Sequence, residues 1–279
     1  MMKVLVVGLG VMGGSLAMAL NESEKYTVYG VDIDKTALDK AESMGIIVKG
    51  YDNAKEILSQ MDVIIIGLYP KLVAKFLEEN AGYFKTGAVC MDVTGIKQKI
   101  IGDVLRVLPD NVDFVFTHPM AGRENKGIDF ASADVLKGAN FIITPLPQNS
   151  SESLEIVRQM AEDCGFGKIS SLSPEEHDGI IAFTSQLSHV IATSLINSDT
   201  ESLDTGSFIG DSYRGITRIA SINAELWTEL FFGNKENILN VIDNFQAEVA
   251  RIRGMIEHEN SDELRKFLKK ASQRRKKII

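Results

Sequence analysis

Three sets of side chains in this sequence have types and spacings suited to chemistry. The first centres on His118, in Phe116-Thr117-His118-Pro119-Met120-Ala121-Gly122-Arg123-Glu124, at the end of an apolar run (114–117) that reads as a strand. Ligands in open α/β sheets bind at the carboxyl ends of strands. An imidazole there can take the proton of a substrate hydroxyl near neutral pH. Read alone, a general base and a loop histidine that only caps backbone groups fit His118 equally well. The second set is Arg214 and Arg218, four residues apart and so near one face if 206–221 is helical. Guanidinium forks grip carboxylates through paired hydrogen bonds, which suits an anionic substrate. By themselves the two arginines read more simply as surface or capping residues.

The third set is Gly8-Leu9-Gly10-Val11-Met12-Gly13, which follows an apolar β-branched run (3–7) and opens a stretch with helical spacing. Asp32 follows Gly13 by nineteen residues, at the end of a second strand, YTVYGVDID. Those contexts turn a weak GxGxxG match into a dinucleotide-binding fingerprint. Gly8 permits the tight turn, Gly10 lets backbone approach a pyrophosphate, and Gly13 lets helix and strand pack closely. Val11 and Met12 complete the loop, and the helix N-terminus turns free N–H groups toward the phosphates. A carboxylate at Asp32 can accept from both ribose hydroxyls and repels a 2′-phosphate, so the expected cofactor is NAD rather than NADP. Flavin enzymes share this opening and are a weaker rival; the GxxxxGK[ST] phosphate loop is absent. Asp34 reads as a helix cap.

The remaining histidines are less informative. His189 lies in an uncharged stretch, where a histidine is ordinarily a satisfied core residue. His258 sits among charges and reads as solvent-facing. His177 and His189 are twelve residues apart, about a third of a turn out of phase, and form no metal pair. Neither carboxylate spacing nor a CxxC pair supplies a metal site.

These groups need a scaffold. Further strand candidates are 46–48, 62–68, 88–93, 114–117 and 140–144, with helical segments between most of them, including 34–44. Strand alternating with helix at this spacing predicts a parallel, doubly wound Rossmann-type sheet. A helix over 151–164, capped by Ser151 or a nearby serine, and a short strand near 168–171 complete that part. From Pro174 onward almost everything reads as helix, starting at Ser173-Pro174-Glu175-Glu176 with serine at the N-cap and proline at the first helical position. The expected organisation is an α/β nucleotide-binding domain over 1–172 and an all-α domain over 173–279.

The bulk numbers are those of an ordinary soluble globular protein. The chain has 279 residues, 44% hydrophobic and 24% charged, with a net charge of −8. Residues 265–279 carry eight Lys or Arg and no acid, leaving 22 basic against 38 acidic residues elsewhere, a body at −16. Such a body argues against nucleic acid as a partner; the basic tail reads as a solvated helix end. Two distant cysteines, Cys90 and Cys164, suggest a reducing, cytoplasmic setting. The N-terminal apolar run is broken by the glycine loop and is no signal peptide. Residues 179–198 carry no charge, yet nine of the twenty are Ser, Thr, Gln, Asn or His. That reads as too polar for a membrane span and as a helix buried in protein on several sides.

Taken together, GLGVMGGSLAMAL, THPMAGRENKG, SPEEHDGIIAFTSQLSHVIA and YRGITRIASINAELWTELFFGNKENI resemble the prephenate dehydrogenase family over nearly the whole chain. The second and fourth segments are specific to that family. The resemblance implies oxidative decarboxylation of prephenate by NAD, giving 4-hydroxyphenylpyruvate. It implies that His118 is the catalytic histidine, that Arg218 binds a substrate carboxylate, that His189 binds substrate, and that Glu124 is an acid near the mouth of the site. Arg214 accompanies Arg218 as a substrate-binding candidate. The family's GSVK-like turn is Asp92-Val93-Thr94-Gly95-Ile96-Lys97 here, with Gly95 aligned to the serine and Thr94 the candidate to supply its hydroxyl. Gln186 replaces a histidine of some members, which leaves prephenate against arogenate open. The resemblance also implies a homodimer through the helical domain, which fits an uncharged helix that one small domain could hardly bury. Rival readings are another two-domain dehydrogenase or imine reductase, and a non-catalytic NAD-sensing protein; the latter could dispense with His118 and Arg218, which are both present.

Overall fold

A computed structural model describes residues 1–122, 125–200 and 204–278. Eight strands form one sheet: β1 (Met2–Val7), β2 (Tyr26–Val31), β3 (Lys49–Tyr51), β4 (Val63–Ile66), β5 (Ala88–Asp92), β6 (Val112–Met120), β7 (Asn140–Thr144) and β8 (Lys168–Ser171). Their order is β3-β2-β1-β4-β5-β6-β7-β8. All neighbouring pairs are parallel except β6 and β7, which run antiparallel with His118 opposite Ile142. The doubly wound sheet is therefore mostly, not wholly, parallel.

Successive side chains of a strand point to opposite faces, and both faces of this sheet are covered. Val4 and Val6 of β1 join Leu16, Leu20, Ile65 and Val115 in one core. Leu5 and Val7 join Ile64, Ile66, Leu77 and Val104 in the other. The covering helices are α1 (Val11–Glu22), α2 (Lys35–Ser43), α3 (Pro70–Asn80), α4 (Gln98–Leu105) and α5 (Ser151–Asp163). Asp34 caps α2 by accepting from Thr36 N, and Ser150 caps α5 by accepting from Ser153 N. One strand differs from expectation. Residues 46–48 are not a strand; after Gly45, in a left-handed conformation at φ +67°, Ile46 and Ile47 turn into the core and pairing resumes at Lys49.

The helical part begins as its sequence indicates. Ser173 caps α6 (Pro174–Ile181) with Pro174 in the first turn, and Glu176 completes a reciprocal capping box. A π-helical turn, Ala182–Gln186, links α6 to α7 (Leu187–Asn197). Such turns add a residue to the helix and concentrate at functional sites. α8 (Asp211–Thr217) and α9 (Ala224–Gly233) follow; α6 packs on α4 and β7, and α9 on α3 and α4.

The continuous helix Pro174–Asn197 is long and apolar enough to cross a membrane by length and composition, and 28% of its most apolar window is buried. This corrects two expectations, that it is too polar to span and that it is buried on several sides. Its small polar residues are offset by Ile, Leu, Val and Phe, and Ile180, Phe183 and Ile196 lie at the surface at 45%, 62% and 41% exposure.

The chain divides into two compact units, Met1–Asn234 and Lys235–Ile279. The second consists of α10 (Lys235–Glu257) and α11 (Ser261–Ile278), with Arg251 over the Phe267 ring at 5.6 Å. The basic residues end α11, where cations suit the helix dipole.

Candidate active site

A cleft of about 870 Å³ opens over the carboxyl ends of β1, β4, β5 and β6. Its floor is the glycine loop. Gly8 has φ +88°, and a Cβ on it would lie 2.7 Å from Gly67 O. A Cβ on Gly13 would lie 2.0 Å from Gly8 O, so only glycine permits this approach of α1 to the loop. Gly10 is different: a Cβ there meets no protein atom within 4 Å. Gly10 is also the N-cap of α1, with no side chain bonded to the helix's first N–H groups. The open space and the uncapped N–H groups together fit a pyrophosphate. Asp32 ties this loop to β2, its carboxylate accepting Leu9 N at 2.7 Å and Asp34 N at 2.9 Å. A carboxylate offers about four acceptor positions, which leaves capacity for ribose hydroxyls.

Gly10, Val11, Met12, Gly13, His118 and His189 all line this one cleft. Arg214 and Arg218 do not: both are exposed, although Ile219, next to Arg218, is in the wall. Glu124 lies outside the described residues. Thr94 borders the cleft, but its hydroxyl turns inward, donating to the Asp92 carboxylate and lying 3.1 Å from Lys97 Nζ. The hydroxyl therefore belongs to the Asp92 cluster and not to the cleft. Gly95 is the residue beside the histidine: a Cβ on it would sit 3.6 Å from His118 Nε2.

His118 is not a lone histidine. Its Nδ1 lies 2.9 Å from Nε2 of His177, and Nδ1 of His177 lies 2.8 Å from Oδ1 of Asp178. A carboxylate only accepts, so His177 carries its proton on Nδ1 and accepts at Nε2. His118 must then donate from Nδ1, which leaves the Nε2 lone pair as its acceptor. His177 and Asp178 are fully buried. Burial, then the neighbouring His177 and Lys97, hold the His118 imidazolium well below the usual histidine range. Burial also lowers His177, assisted by Lys97 and opposed by Asp178. His118 is thus neutral at physiological pH, with a free nitrogen in the cleft.

The opposite wall is helical. His189 Nδ1 is 3.0 Å from Ser185 O, and its ring, in the cleft wall, stacks on Trp227 with centroids 3.6 Å apart. Gln186, also in the cleft wall, is held at both ends of its amide, donating to Leu230 O at 3.0 Å and accepting from Asn234 Nδ2 at 2.9 Å. At the mouth, Asn223 donates to Tyr69 Oη at 2.7 Å and Lys71 pairs with Glu229 at 2.9 Å, linking α3 to α9. Among the described residues no cluster of three or more His, Cys, Asp or Glu is placed to hold a metal.

The sequence alone did not bring out His177, Asp178, Asp92 or Lys97. The available signals were Asp92 ending an apolar strand and a His-Asp pair following a helix cap.

A glycine loop at a helix N-terminus and a neutral histidine opening into one cleft are the arrangement of a dinucleotide-dependent oxidoreductase. Comparison with known proteins narrows this. A family model described as the prephenate dehydrogenase nucleotide-binding domain matches residues 16–170, and one described as the prephenate dehydrogenase dimerization domain matches residues 173–270. The chain belongs to the prephenate dehydrogenase family. It is 29% identical to the prephenate dehydrogenase of Bacillus subtilis over 274 residues, 96% of this chain and 74% of that one. It is 26% identical to the cyclohexadienyl dehydrogenase of Zymomonas mobilis, covering 97% and 94%. The crystal structure of Aquifex aeolicus prephenate dehydrogenase with hydroxyphenyl propionate and NAD+ superposes with a TM-score of 0.90 at 28% identity, covering 100% and 99%.

Proposed function

We propose that the protein catalyses the oxidative decarboxylation of prephenate by NAD, giving 4-hydroxyphenylpyruvate, carbon dioxide and NADH. The observation that carries this reading is the neutral His118, whose free Nε2 shares a cleft with the glycine loop. The Aquifex aeolicus relative supports it, because hydroxyphenyl propionate has the hydroxyphenyl ring and carboxylate of the expected product.

In this reading Gly8, Gly10, Val11, Met12 and Gly13 hold the pyrophosphate and Asp32 the adenosine ribose. Bound there, NAD supplies the acceptor for the hydride lost from the ring carbon that bears the hydroxyl. His118 Nε2 takes the hydroxyl proton as the carbonyl develops. The imidazolium so formed keeps its Nδ1–H on His177, whose other nitrogen rests on Asp178. Loss of the ring carboxylate as carbon dioxide then sends the electron pair of the broken C–C bond into the ring, which becomes aromatic. The carbonyl oxygen, now a developing phenolate, takes the proton back from His118, leaving the histidine neutral. Trp227 and His189 form a flat wall suited to that ring. Arg218 at the rim, with Arg214 and Glu124 as further candidates, serves the substrate's carboxylates. Thr94 shapes the turn beside the cleft rather than touching substrate.

Residues 1–172 form the cofactor domain and 173–279 the substrate and dimerisation domain. The exposed Ile180, Phe183 and Ile196 pack against a second copy, so the protein is a homodimer; a monomer mass by light scattering at micromolar concentration would contradict this. Two buried, unbridged cysteines suit the cytoplasm. Arogenate carries an amino group where prephenate has a keto oxygen, and a cyclohexadienyl dehydrogenase is among the relatives. NADH formation is therefore measured with prephenate and with arogenate, each with NAD and NADP. Turnover with prephenate and NAD is expected, and no turnover with either substrate would refute the reading. Arg218→Ala is expected to raise KM for substrate more than it lowers kcat.

A further inference from the structure

A circuit of buried hydrogen bonds leaves His118 and returns to it. It runs through His177 to Asp178, which accepts from Lys97 N at 2.7 Å and Gln98 N at 2.9 Å. Lys97 Nζ donates to Asp92 Oδ2 at 2.7 Å, and Asp92 Oδ1 accepts at 2.9 Å from the N–H of Thr117, the residue before His118. Asp92, Lys97, Thr117, His177 and Asp178 are each 0% exposed. The other two donors of the ammonium are also used, on Thr94 O at 2.8 Å and Thr94 Oγ1 at 3.1 Å. Removing a charge from water is costly unless it is paired, and the chemistry assigned above does not itself require a cation here.

We propose that Lys97 is a positioning residue for proton transfer: it closes the circuit that fixes the His118 ring, and its charge keeps the histidine pair neutral until substrate delivers a proton. The proposal rests on His118 being the base. Two carboxylates, Asp92 and Asp178, lie in the circuit. Without the ammonium both would draw a proton onto the histidines in the resting protein. With it, a single net negative charge remains, and a proton on His118 brings the cluster to neutrality. Among the described residues, the ionisable groups around the histidine pair are Asp92 at the end of β5, Lys97 before α4 and Asp178 on α6, with Lys126 and His189 in the cleft wall. Burial lowers Lys97 itself and Asp92 opposes this; with all three donors satisfied, the paired ammonium is the form that fits.

The test is 15N-histidine NMR on the full-length protein without substrate, alongside kcat against pH. In the wild type, His118 is expected neutral at pH 6.5, with its proton on Nδ1. Lys97→Met should move its protonation midpoint up by about one pH unit or more, and the acid limb of kcat should move with it. Lys97→Arg should keep the wild-type midpoint even where kcat falls, because the charge is retained. A folded Lys97→Met protein with an unmoved midpoint would overturn the proposal. Where Lys97→Met does not fold, wild type decides: His118 charged at pH 6.5, or with its proton on Nε2, would overturn it. The NMR readout needs no turnover, so failure on prephenate and failure of the Lys97 proposal are separate results.

Discussion

Nδ1 of His118 and Nε2 of His177 are 2.9 Å apart, and that single contact sets which nitrogen of His118 is free to accept a proton. Because burial and the neighbouring charges hold His118 well below the usual histidine range, its basic form persists as pH falls. The dependence of kcat/KM on pH should therefore stay flat through neutrality and lose its acid limb only well below 6.5. An acid limb centred at or above 6.5 would show that the active form does not depend on this neutral histidine.

The same lowering acts on stability. The unfolded chain takes up protons on both histidines near pH 6.5, whereas the folded chain resists them, since His118 and His177 are both lowered. The unfolded state then binds more protons in the window below 6.5, so stability falls with pH there. The contribution is complete above 6.5 and is lost as pH falls toward the folded values. Melting temperature should drop as pH is taken from 7 to 5, and His118→Asn should flatten that drop. An equal slope in the variant would assign the effect to other groups.

Gly10 and Gly13 should fail in different ways. A Cβ at Gly10 meets no protein atom within 4 Å, whereas one at Gly13 lies 2.0 Å from Gly8 O. Gly10→Ala is expected to melt as wild type does and to lose most NAD affinity. Gly13→Ala should be destabilised by about 1–3 kcal/mol from overpacking against rigid backbone. Thermal unfolding combined with NAD titration separates the two, and equal melting temperatures would contradict the packing role of Gly13.

Asp32 accepts from Leu9 N and Asp34 N, so its carboxylate stands between the glycine loop and the end of β2. Asp32→Ala should weaken NAD and reduce the preference over NADP by removing the charge that repels a 2′-phosphate. An unaltered ratio of kcat/KM for the two cofactors would remove Asp32 from the ribose site.

Local chemistry made much of this fold legible. Ser173-Pro174-Glu175-Glu176 spells a helix start, and it caps α6. The strands 140–144 and 168–171 also appear where composition placed them. Residues 46–48 misled because an apolar triplet after a helix serves equally well as a strand or as a plug for the core. The reversed direction of β7 is a matter of tertiary pairing and leaves no local trace. The relay behind His118 was hidden for a similar reason: Lys97 and Asp178 meet through a contact 81 positions long, and each alone is an ordinary polar residue. Thr94 looked like a hydroxyl for the cleft because it adjoins Gly95, the position aligned to the family's serine, but the backbone turns it onto Asp92.

The most direct measurement follows both products from prephenate labelled in its ring carboxylate. With NAD, the wild-type protein should release one labelled carbon dioxide for each NADH formed. His118→Asn should lower kcat by about 10²–10⁴-fold with little change in KM. No NADH from prephenate, NADH without labelled carbon dioxide, or an unchanged kcat in the variant would contradict oxidative decarboxylation driven from His118.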